Sequence, residues 1–298
     1  MNHSGLYINM DRSADRRQRL EAELARIGLR YQRLAASDGR ALAPDKPSRE
    51  AAEFGCYLSH CRALEIAAAD DKPTHVLEDD AKLSSHVPAV IRAAITGRLF
   101  DQFDLVFLDV MMPYAVAMWQ HLRNAIRPGQ FSIINLSGAA FGSLASYLVS
   151  PAGAAKVREL CIAEYSQKPF PIDLIIRDQA MVGKLRVGAL LPFATTLHLS
   201  DARRSTIGGS EYAQDDFMLA MMLLRYSFFI EADRLMSLRS SSSCAGGRTV
   251  REALKSAPCL ISFRGDVREL GIHRLAVRLR PFVGRYRALA REPAAQIA

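Results

Sequence analysis

The stretch LYINMDRSADRRQRLEAELARIGLRYQRLAASDGR, residues 6–40, sets the order of the first secondary-structure elements. Its apolar start, residues 6–10, predicts a buried strand. Ser13 then occupies an N-cap position, apolar residues follow at helical spacing, and Gly28 ends the helix. An extended YQRLAA and an SDGR turn complete a β-α-β unit, which is the usual beginning of a parallel sheet.

The pattern continues as α/β downstream of this unit. After a polar loop at residues 42–50, the segment GCYLSHCRALEIAAA predicts a helix. A Ser-Pro pair, Ser150 and Pro151, predicts the beginning of another helix, and Asp173 stands near the start of a third. Four further segments read as strands: THVLE (74–78), DLVFLDV (104–110), AAFGSLASYLVS (139–150) and LRVGALLPF (185–193, the last strand), before a polar loop at 195–211. The sequence therefore predicts an α/β fold with a mostly parallel central sheet.

The composition of the chain changes near residue 210. Beyond it come Met-rich and then Arg-rich helical patterns, interrupted by SSSSCAGG at 240–247. We therefore predict an α/β domain at residues 1–210 and a helical C-terminal appendage at residues 211–298. A chain of 298 residues with 49% hydrophobic content is large enough for such a division.

Several features favour a cytoplasmic protein. The five cysteines are odd in number, which favours free thiols in a reducing compartment. The N-terminus MNHSGLYINM lacks the pattern of a secretory signal. The most apolar late stretch, residues 217–230, is too short to cross a bilayer and contains Arg225. We expect a soluble protein or one peripheral to a membrane.

The net charge of +8 is concentrated near the C-terminus, where eight arginines lie between Arg264 and Arg291. Such a tail could contact nucleic acid, anionic lipid or an anionic substrate, or form a solvated helical face. No platform of interleaved aromatic residues accompanies it, which argues against nucleic acid. We therefore expect the arginine-rich tail to make a peripheral contact with the anionic inner face of a membrane.

Three consecutive acids, Glu78, Asp79 and Asp80, end the THVLE strand. Ligands collect at the carboxyl ends of strands in open α/β sheets, so these acids are expected to face a crevice. They could hold a divalent cation with the phosphates of a substrate, form an acid/base pair, or cap a turn. Because neighbouring residues of an extended segment point to opposite faces, the acid/base pair is the less natural of these alternatives.

A second metal-like pattern lies in the helix before this strand. Cys56, His60 and Cys61 have side chains that can ligate metals. No second Cys/His pair follows nearby in the sequence, which favours buried thiols on a helix over a metal site.

Several blocks of the chain together resemble glycosyltransferase family 25, the lipooligosaccharide biosynthesis type. They occur in the family's order over roughly residues 5–208: YINMDRSADRRQRLEAELARIGLRYQRLAASDGR (7–40), GCYLSHCRALEIAAADDKPTHVLEDDAKLS (55–84), ASYLVSPAGAAKV (145–157), PFPIDLII (169–176) and SDARRSTIG (200–208). The resemblance implies a GT-A-like nucleotide-sugar-binding domain. It also implies transfer of galactose or glucose from a UDP-sugar with inversion, onto a lipooligosaccharide or other cell-surface glycan.

The resemblance also implies roles for particular residues. Glu78, Asp79 and Asp80 would bind Mn²⁺ or Mg²⁺ against the UDP diphosphate. Asp173 is the leading general base and Asp109 a second candidate. A helix N-cap is an equally good interpretation of Asp173. The remaining candidates would contact the nucleotide-sugar: Asn9, Arg12, Arg16, Arg17, Asp38, Gly39, Ser59, His60, Tyr147, Ser205 and Thr206.

Several of these nucleotide-sugar candidates also have a structural explanation. The first-helix arginines can face solvent, and a turn alone accounts for Asp38 and Gly39. His60 can hydrogen-bond a phosphate, orient an acid, or be a satisfied core histidine. The alternative for the whole chain is a non-catalytic module that binds a nucleotide-sugar or glycan without turning it over.

Overall fold

A computed structural model describes residues 2–112, 131–198, 225 and 228–230 of the chain. The strands of this part are β1 Ser4–Asn9, β2 Gln32–Ala35, β3 Thr74–Glu78, β4 Ala81–Leu83, β5 Leu105–Met111, β6 Ser132–Asn135, β7 Gly142–Val149, β8 Val187–Leu191 and β9 Thr195–Leu197. The α-helices of the same part are α1 Ala14–Arg26, α2 Gly39–Leu42, α3 Ser48–Ala68, α4 Val87–Thr96, α5 Pro151–Gln167 and α6 Ile172–Met181.

Seven of the described strands form one sheet in the order β2-β1-β3-β7-β5-β8-β6. Strands β2, β1 and β3 are mutually parallel, and β5 is parallel to β8. Strand β7 is antiparallel to both β3 and β5, and β6 is antiparallel to β8. Five strands therefore point the same way and two run against them. The predicted α/β fold with a mostly parallel sheet is confirmed.

The sheet lies between two layers of helices, each with its own hydrophobic core. Leu6 and Ile8 of β1 belong to the core on the α3, α5 and α6 side, whereas Tyr7 between them belongs to the core that includes α1 and α4. The same alternation occurs in β3, where Val76 faces the first core and Leu77 the second. Successive side chains of a strand point to opposite faces of the sheet, and the same holds for the last residues of each strand.

The predicted β-α-β opening is confirmed in its details. Helix α1 follows β1, with Ser13 at its N-cap position, although the Ser13 side chain makes no capping hydrogen bond. Gly28 adopts a positive φ of 72° just after the helix, as a terminating glycine does. At the later helix, the Ser150 side chain accepts a hydrogen bond from the Gly153 amide at 3.1 Å and Pro151 occupies the first turn.

Two predicted loops were wrong in part. Helix α3 begins at Ser48, inside the predicted polar loop, with Pro47 at its N-cap. Thr195–Leu197 forms β9 and pairs with β4, so LRVGALLPF does not contain the last strand. The two threonines explain this difference, because both are buried and β-branched residues suit a strand packed against its neighbours.

Gly39 explains how the SDGR turn lies against α3. A Cβ atom at this position would lie 1.7 Å from the carbonyl oxygen of Ala51 and 2.7 Å from the amide nitrogen of Gly55. The backbones of α2 and α3 can therefore meet only because Gly39 lacks a side chain. This contact fixes the turn beside the end of β1, and it gives Gly39 a packing role.

The predicted appendage at residues 211–298, its arginines, Ser205 and Thr206 lie outside the described residues, apart from Arg225 and residues 228–230. Within the described part, none of the helices has the length and apolar character needed to cross a membrane.

Candidate active site

The carboxyl ends of β1 and β3 meet at one edge of the sheet through Asn9 and Asp79. The Asn9 Nδ2 atom donates to Asp79 Oδ2 at 2.7 Å, and Arg16 Nη1 of α1 donates to Asp79 Oδ1 at 3.2 Å. The amide oxygen of Asn9 in turn accepts from Arg33 Nε at 3.0 Å. Both oxygens of the Asp79 carboxylate are thus engaged by the chain itself.

Glu78 points to the opposite face, toward α3. Its Oε1 atom lies 3.0 Å from His60 Nε2, and His60 Nδ1 lies 3.2 Å from the Tyr147 hydroxyl. Burial alone would raise the pKa of Glu78, but the His60 hydrogen bond and the positive charge of Arg225 and Arg16 lower it below its ordinary value. Glu78 is therefore ionised at neutral pH, and the Glu78 side chain remains 29% exposed.

Asp80 differs from its two neighbours because one of its oxygens has no partner. Its Oδ1 atom is buried and has no hydrogen-bond partner among the described residues. Its Oδ2 atom lies 3.9 Å from Arg16 Nη1. Burial and the adjacent charges of Glu78 and Asp79 raise the pKa of Asp80 to about 7, against the opposing effect of Arg16.

The acid cluster is therefore suited to a divalent cation. A buried carboxylate oxygen without a partner costs free energy unless a proton or a cation satisfies it. Glu78 and Asp80 offer oxygen ligands of the kind that Mn²⁺ and Mg²⁺ bind, and they lie at the carboxyl end of a strand, where ligands collect in open α/β sheets. The middle acid, Asp79, is the one whose oxygens are already used.

Asp173 joins this edge from the first turn of α6. Its Oδ2 atom accepts from the Ser143 amide at 2.8 Å and its Oδ1 atom from the Leu174 amide at 2.9 Å. Burial raises its pKa, an effect that these two amides oppose. Pro171, not Asp173, stands at the N-cap position of α6, so the N-cap interpretation of Asp173 was wrong. Asp173 nevertheless accepts a hydrogen bond from an amide of the first turn, as a capping residue does.

Asp109, the second candidate base, lies in a closed environment. It is fully buried and pairs with Arg225, which also donates from Nη2 to Ser143 Oγ at 3.1 Å. Burial raises the pKa of Asp109, although Arg225 opposes the shift. Ser143 has a φ of 75°, in the left-handed region that a residue with a side chain rarely adopts. The contacts of Arg225 and Asp173 together define that backbone position.

The other predicted nucleotide-sugar residues differ in exposure: some lie at the surface and others are buried. Arg12 pairs with Asp38 at the surface, and the Asp38 side chain also accepts from the Arg40 amide at 3.2 Å. Ser59 is buried, accepts from the Ser37 amide at 2.9 Å and donates to the Gly55 carbonyl. Arg17 is partly exposed on α1.

His60 and Tyr147 lie in the interior. They contact Glu78 in series, with His60 between the tyrosine and the acid. His60 is buried with a partner on each ring nitrogen, so it is a satisfied core histidine whose Nε2 also contacts an acid. Its contact with a phosphate stays a prediction.

Two arginines of the site were not among the predicted residues. Arg33 of β2 contacts Asn9, and Arg225 contacts Asp109 across 116 positions of sequence. Arg225 did carry a signal, because a single charge inside the apolar run FMLAMMLLRYSFFI requires a buried partner. Arg33 carried none, since an arginine in a short exposed strand is ordinary.

Comparison with known proteins agrees with this architecture. A profile of glycosyltransferase family 25, described as an LPS biosynthesis protein family, matches residues 3–176. A Drosophila pseudoobscura pseudoobscura protein named Glycosyltransferase 25 family member is 28% identical over 120 residues, which cover 34% of this chain and 19% of that protein. The chain thus spans less than a fifth of the length of this relative.

The fold is that of an α/β protein, and its acids cluster at the carboxyl ends of the strands, which is where open α/β proteins bind ligands. The family profile covers more than half of the 298 residues, and the chain belongs to glycosyltransferase family 25.

Proposed function

We propose that this chain is a metal-dependent, inverting glycosyltransferase with a GT-A-like fold. It moves a hexose, galactose or glucose, from a UDP-sugar to a lipooligosaccharide or another cell-surface glycan. The observation that carries the proposal is the buried Asp80 Oδ1 atom, which has no hydrogen-bond partner in the described part of the chain and lies two residues from Glu78 at the end of β3.

Glu78 and Asp80 would hold Mn²⁺ or Mg²⁺, while Asp79 keeps its contacts with Asn9 and Arg16. Held by these two residues, the cation would supply positive charge to offset the negative charge of the leaving diphosphate. Asp79 then acts indirectly: its contact with Asn9 fixes the end of β3 against the end of β1, and that contact positions the two acids on either side of it. The three predicted metal ligands are thereby divided into two ligands and one positioning residue.

Asp173 is the base that we propose for the acceptor. An inverting transfer requires one carboxylate to take the proton of the acceptor hydroxyl as that hydroxyl attacks the anomeric carbon. The raised pKa of Asp173 makes it a better proton acceptor than an ordinary aspartate. Asp109 suits this role less well because it is fully buried and paired with Arg225.

The arginines between Arg264 and Arg291 would hold the protein to the anionic inner face of a membrane, where a lipid-linked acceptor lies. Deletion of residues 264–298 is expected to lower sedimentation of the protein with vesicles that contain an anionic lipid. Neutral vesicles are the control. Unchanged binding of the truncated protein to anionic vesicles would refute the proposed role of these arginines in membrane contact.

Release of UDP tests the catalytic proposal directly. The full chain is incubated with UDP-galactose, UDP-glucose and UDP-N-acetyl sugars, with Mn²⁺, with Mg²⁺ and with EDTA. We expect UDP release with one hexose donor, loss of that release in EDTA, and loss in Asp80→Asn. Asp71→Asn is the matched control, because Asp71 is an exposed acid in the loop that precedes β3.

Two outcomes would contradict this function. UDP release that is indifferent to EDTA and to Asp80→Asn would exclude the metal-dependent mechanism. A folded protein that binds UDP but turns over no donor, with a full set of acceptors, would instead indicate the non-catalytic binding module.

A further inference from the structure

A group of three different donor atoms lies between α3 and the end of β3. The thiol of Cys56, the imidazole of His60 and the carboxylate of Glu78 each offer one donor atom, and these atoms lie within 4.8 Å of one another. Cys56 and His60 are four residues apart on α3, so they share one face of the helix. The catalytic proposal uses Glu78 alone of the three.

We propose that Cys56, His60 and Glu78 form a binding site for a borderline-soft divalent cation such as Zn²⁺. Sulfur, nitrogen and oxygen donors together suit Zn²⁺, and three protein ligands leave its fourth tetrahedral position open. A thiolate ligand disfavours Mg²⁺ and Mn²⁺, which prefer oxygen. The site therefore differs in metal preference from the pair Glu78 and Asp80, although both use Glu78.

The geometry requires only small side-chain movements. Zinc bonds of about 2.0–2.3 Å place tetrahedral ligands roughly 3.4 Å apart. The present separations of up to 4.8 Å close by about an ångström and a half, and rotation about the side-chain bonds of Cys56 and Glu78 can provide this. Because the Glu78 side chain is 29% exposed, an ion can reach the donors from solvent.

Tyr147 holds the histidine in the orientation that a metal needs. Its hydroxyl lies 3.2 Å from His60 Nδ1, which leaves Nε2 directed at Glu78 Oε1 at 3.0 Å. A tyrosine hydroxyl can donate or accept. When Nε2 binds a metal, the imidazole proton lies on Nδ1 and is donated to Tyr147, so the histidine stays satisfied.

The other cysteine of this helix gives an internal comparison. Cys61 belongs to the hydrophobic core that includes Tyr57 and Cys161, and it is absent from the donor group. The prediction of buried thiols is therefore correct for Cys61. The sequence grouped Cys56 and His60 with Cys61, whereas the tertiary structure replaces Cys61 with Glu78 from β3.

Occupancy of this site has a consequence for catalysis, which rests on the proposed function. Zinc would take the Glu78 carboxylate, and Glu78 would then be lost to the hard cation that it is proposed to share with Asp80. Zinc should therefore inhibit transfer, and mutation of Cys56 should relieve the inhibition. The binding of zinc itself does not depend on the chain being a transferase.

Cobalt titration tests the site without an activity assay. Co²⁺ replaces Zn²⁺ at such sites, and a cysteine thiolate bound to it gives a charge-transfer band in the near ultraviolet. The full chain is used with Cys244→Ser and Cys259→Ser in every variant, which removes the two cysteines outside the described residues. We expect one equivalent of Co²⁺ to produce the band and one equivalent of Zn²⁺ to remove it.

Two matched variants decide the assignment. Cys56→Ser should abolish the band and weaken zinc binding by more than the roughly 10–100-fold that loss of an outer partner causes. Cys61→Ser should keep both, and circular dichroism confirms that each variant is folded. Absence of the band from the chain that keeps both Cys56 and Cys61, or a band that survives in Cys56→Ser, would overturn the proposal.

Inhibition is measured separately, as UDP release with Mn²⁺ and increasing Zn²⁺. Cys56→Ser is expected to need at least about 10-fold more zinc than wild type for half inhibition. Equal inhibition of the two proteins would refute the link to catalysis. If no UDP-sugar is turned over, the proposed function fails, and the cobalt band still decides whether the metal site exists.

Discussion

Asn9 Nδ2 donates to Asp79 Oδ2 at 2.7 Å and thereby joins the carboxyl ends of two adjacent parallel strands. This contact engages the middle acid of the trio, whereas Asp80 Oδ1 has no hydrogen-bond partner among the described residues. Glu78 turns toward His60 on one face of the sheet, and Asp79 turns toward Arg16 on the other. The alternation expected of an extended segment thus explains why Glu78 and Asp79, adjacent in sequence, contact residues on opposite faces of the sheet.

Replacement of Asn9 by alanine should destabilise the protein and loosen the acid cluster. It leaves a buried carboxylate oxygen of Asp79 without its donor, which costs about 1–3 kcal/mol. Urea denaturation measures the free energy of unfolding, and calorimetric titration with Mn²⁺ measures metal affinity, which should fall. Asn135→Ala, at an exposed asparagine of β6, should change stability by less than about 1 kcal/mol. Equal effects of the two variants would contradict the role of Asn9.

Stability of the metal-free protein should fall as pH rises from about 4 to about 7 because of Asp80. Its pKa is about 7 in the folded protein, against an ordinary value of 3.8, so in this window the folded state holds a proton that the unfolded state has lost. The contribution of Asp80 to the free energy of unfolding is therefore fully present below about pH 4 and is lost as the pH approaches 7. Urea denaturation in EDTA at several pH values should show a smaller decline in Asp80→Asn than in wild type. If the free energy of unfolding changes with pH identically in the two proteins, the pKa of Asp80 is not raised in the folded state.

Asp173→Asn should lower turnover while donor binding stays unchanged. Loss of a general base reduces kcat by about 10²–10⁴-fold. Calorimetry with UDP and UDP release under saturating donor separate the two effects. Asp178→Asn on the same helix is the control, because that acid is half exposed and pairs with Arg177. Wild-type turnover by Asp173→Asn would remove it as the base.

Arg225→Met should destabilise the protein because it leaves Asp109 buried and uncompensated. Breaking a buried ion pair from one side costs about 3–5 kcal/mol, whereas replacing both partners with apolar residues can be nearly neutral. We therefore expect the double variant Arg225→Met/Asp109→Leu to recover most of the stability lost by the single variant, as measured by urea denaturation. A double variant as unstable as the sum of its single variants would show that the two residues act independently.

Local pattern was sufficient for much of this protein. The alternation of apolar residues, Gly28 and the Ser150–Pro151 pair predicted the β-α-β opening and a later helix, and the strand ends placed the acids at the sheet edge. Periodicity, caps and turns act over a few residues, so they can be read along the chain. The segments that local pattern missed, such as Thr195–Leu197, become strands only because a distant partner pairs with them.

What only the tertiary structure decided is how the side chains of the site are shared. The sequence did not distinguish the engaged Asp79 from Asp80, whose buried Oδ1 atom lacks a partner within the described ranges. Nor did it pair Arg225 with Asp109 across 116 positions. It also placed Cys61, rather than Glu78, beside Cys56 and His60. These relationships depend on strand register and on which helix covers which face. Packing between distant parts of the chain fixes the register and the helix placement, so neither can be predicted from residues that are adjacent in sequence.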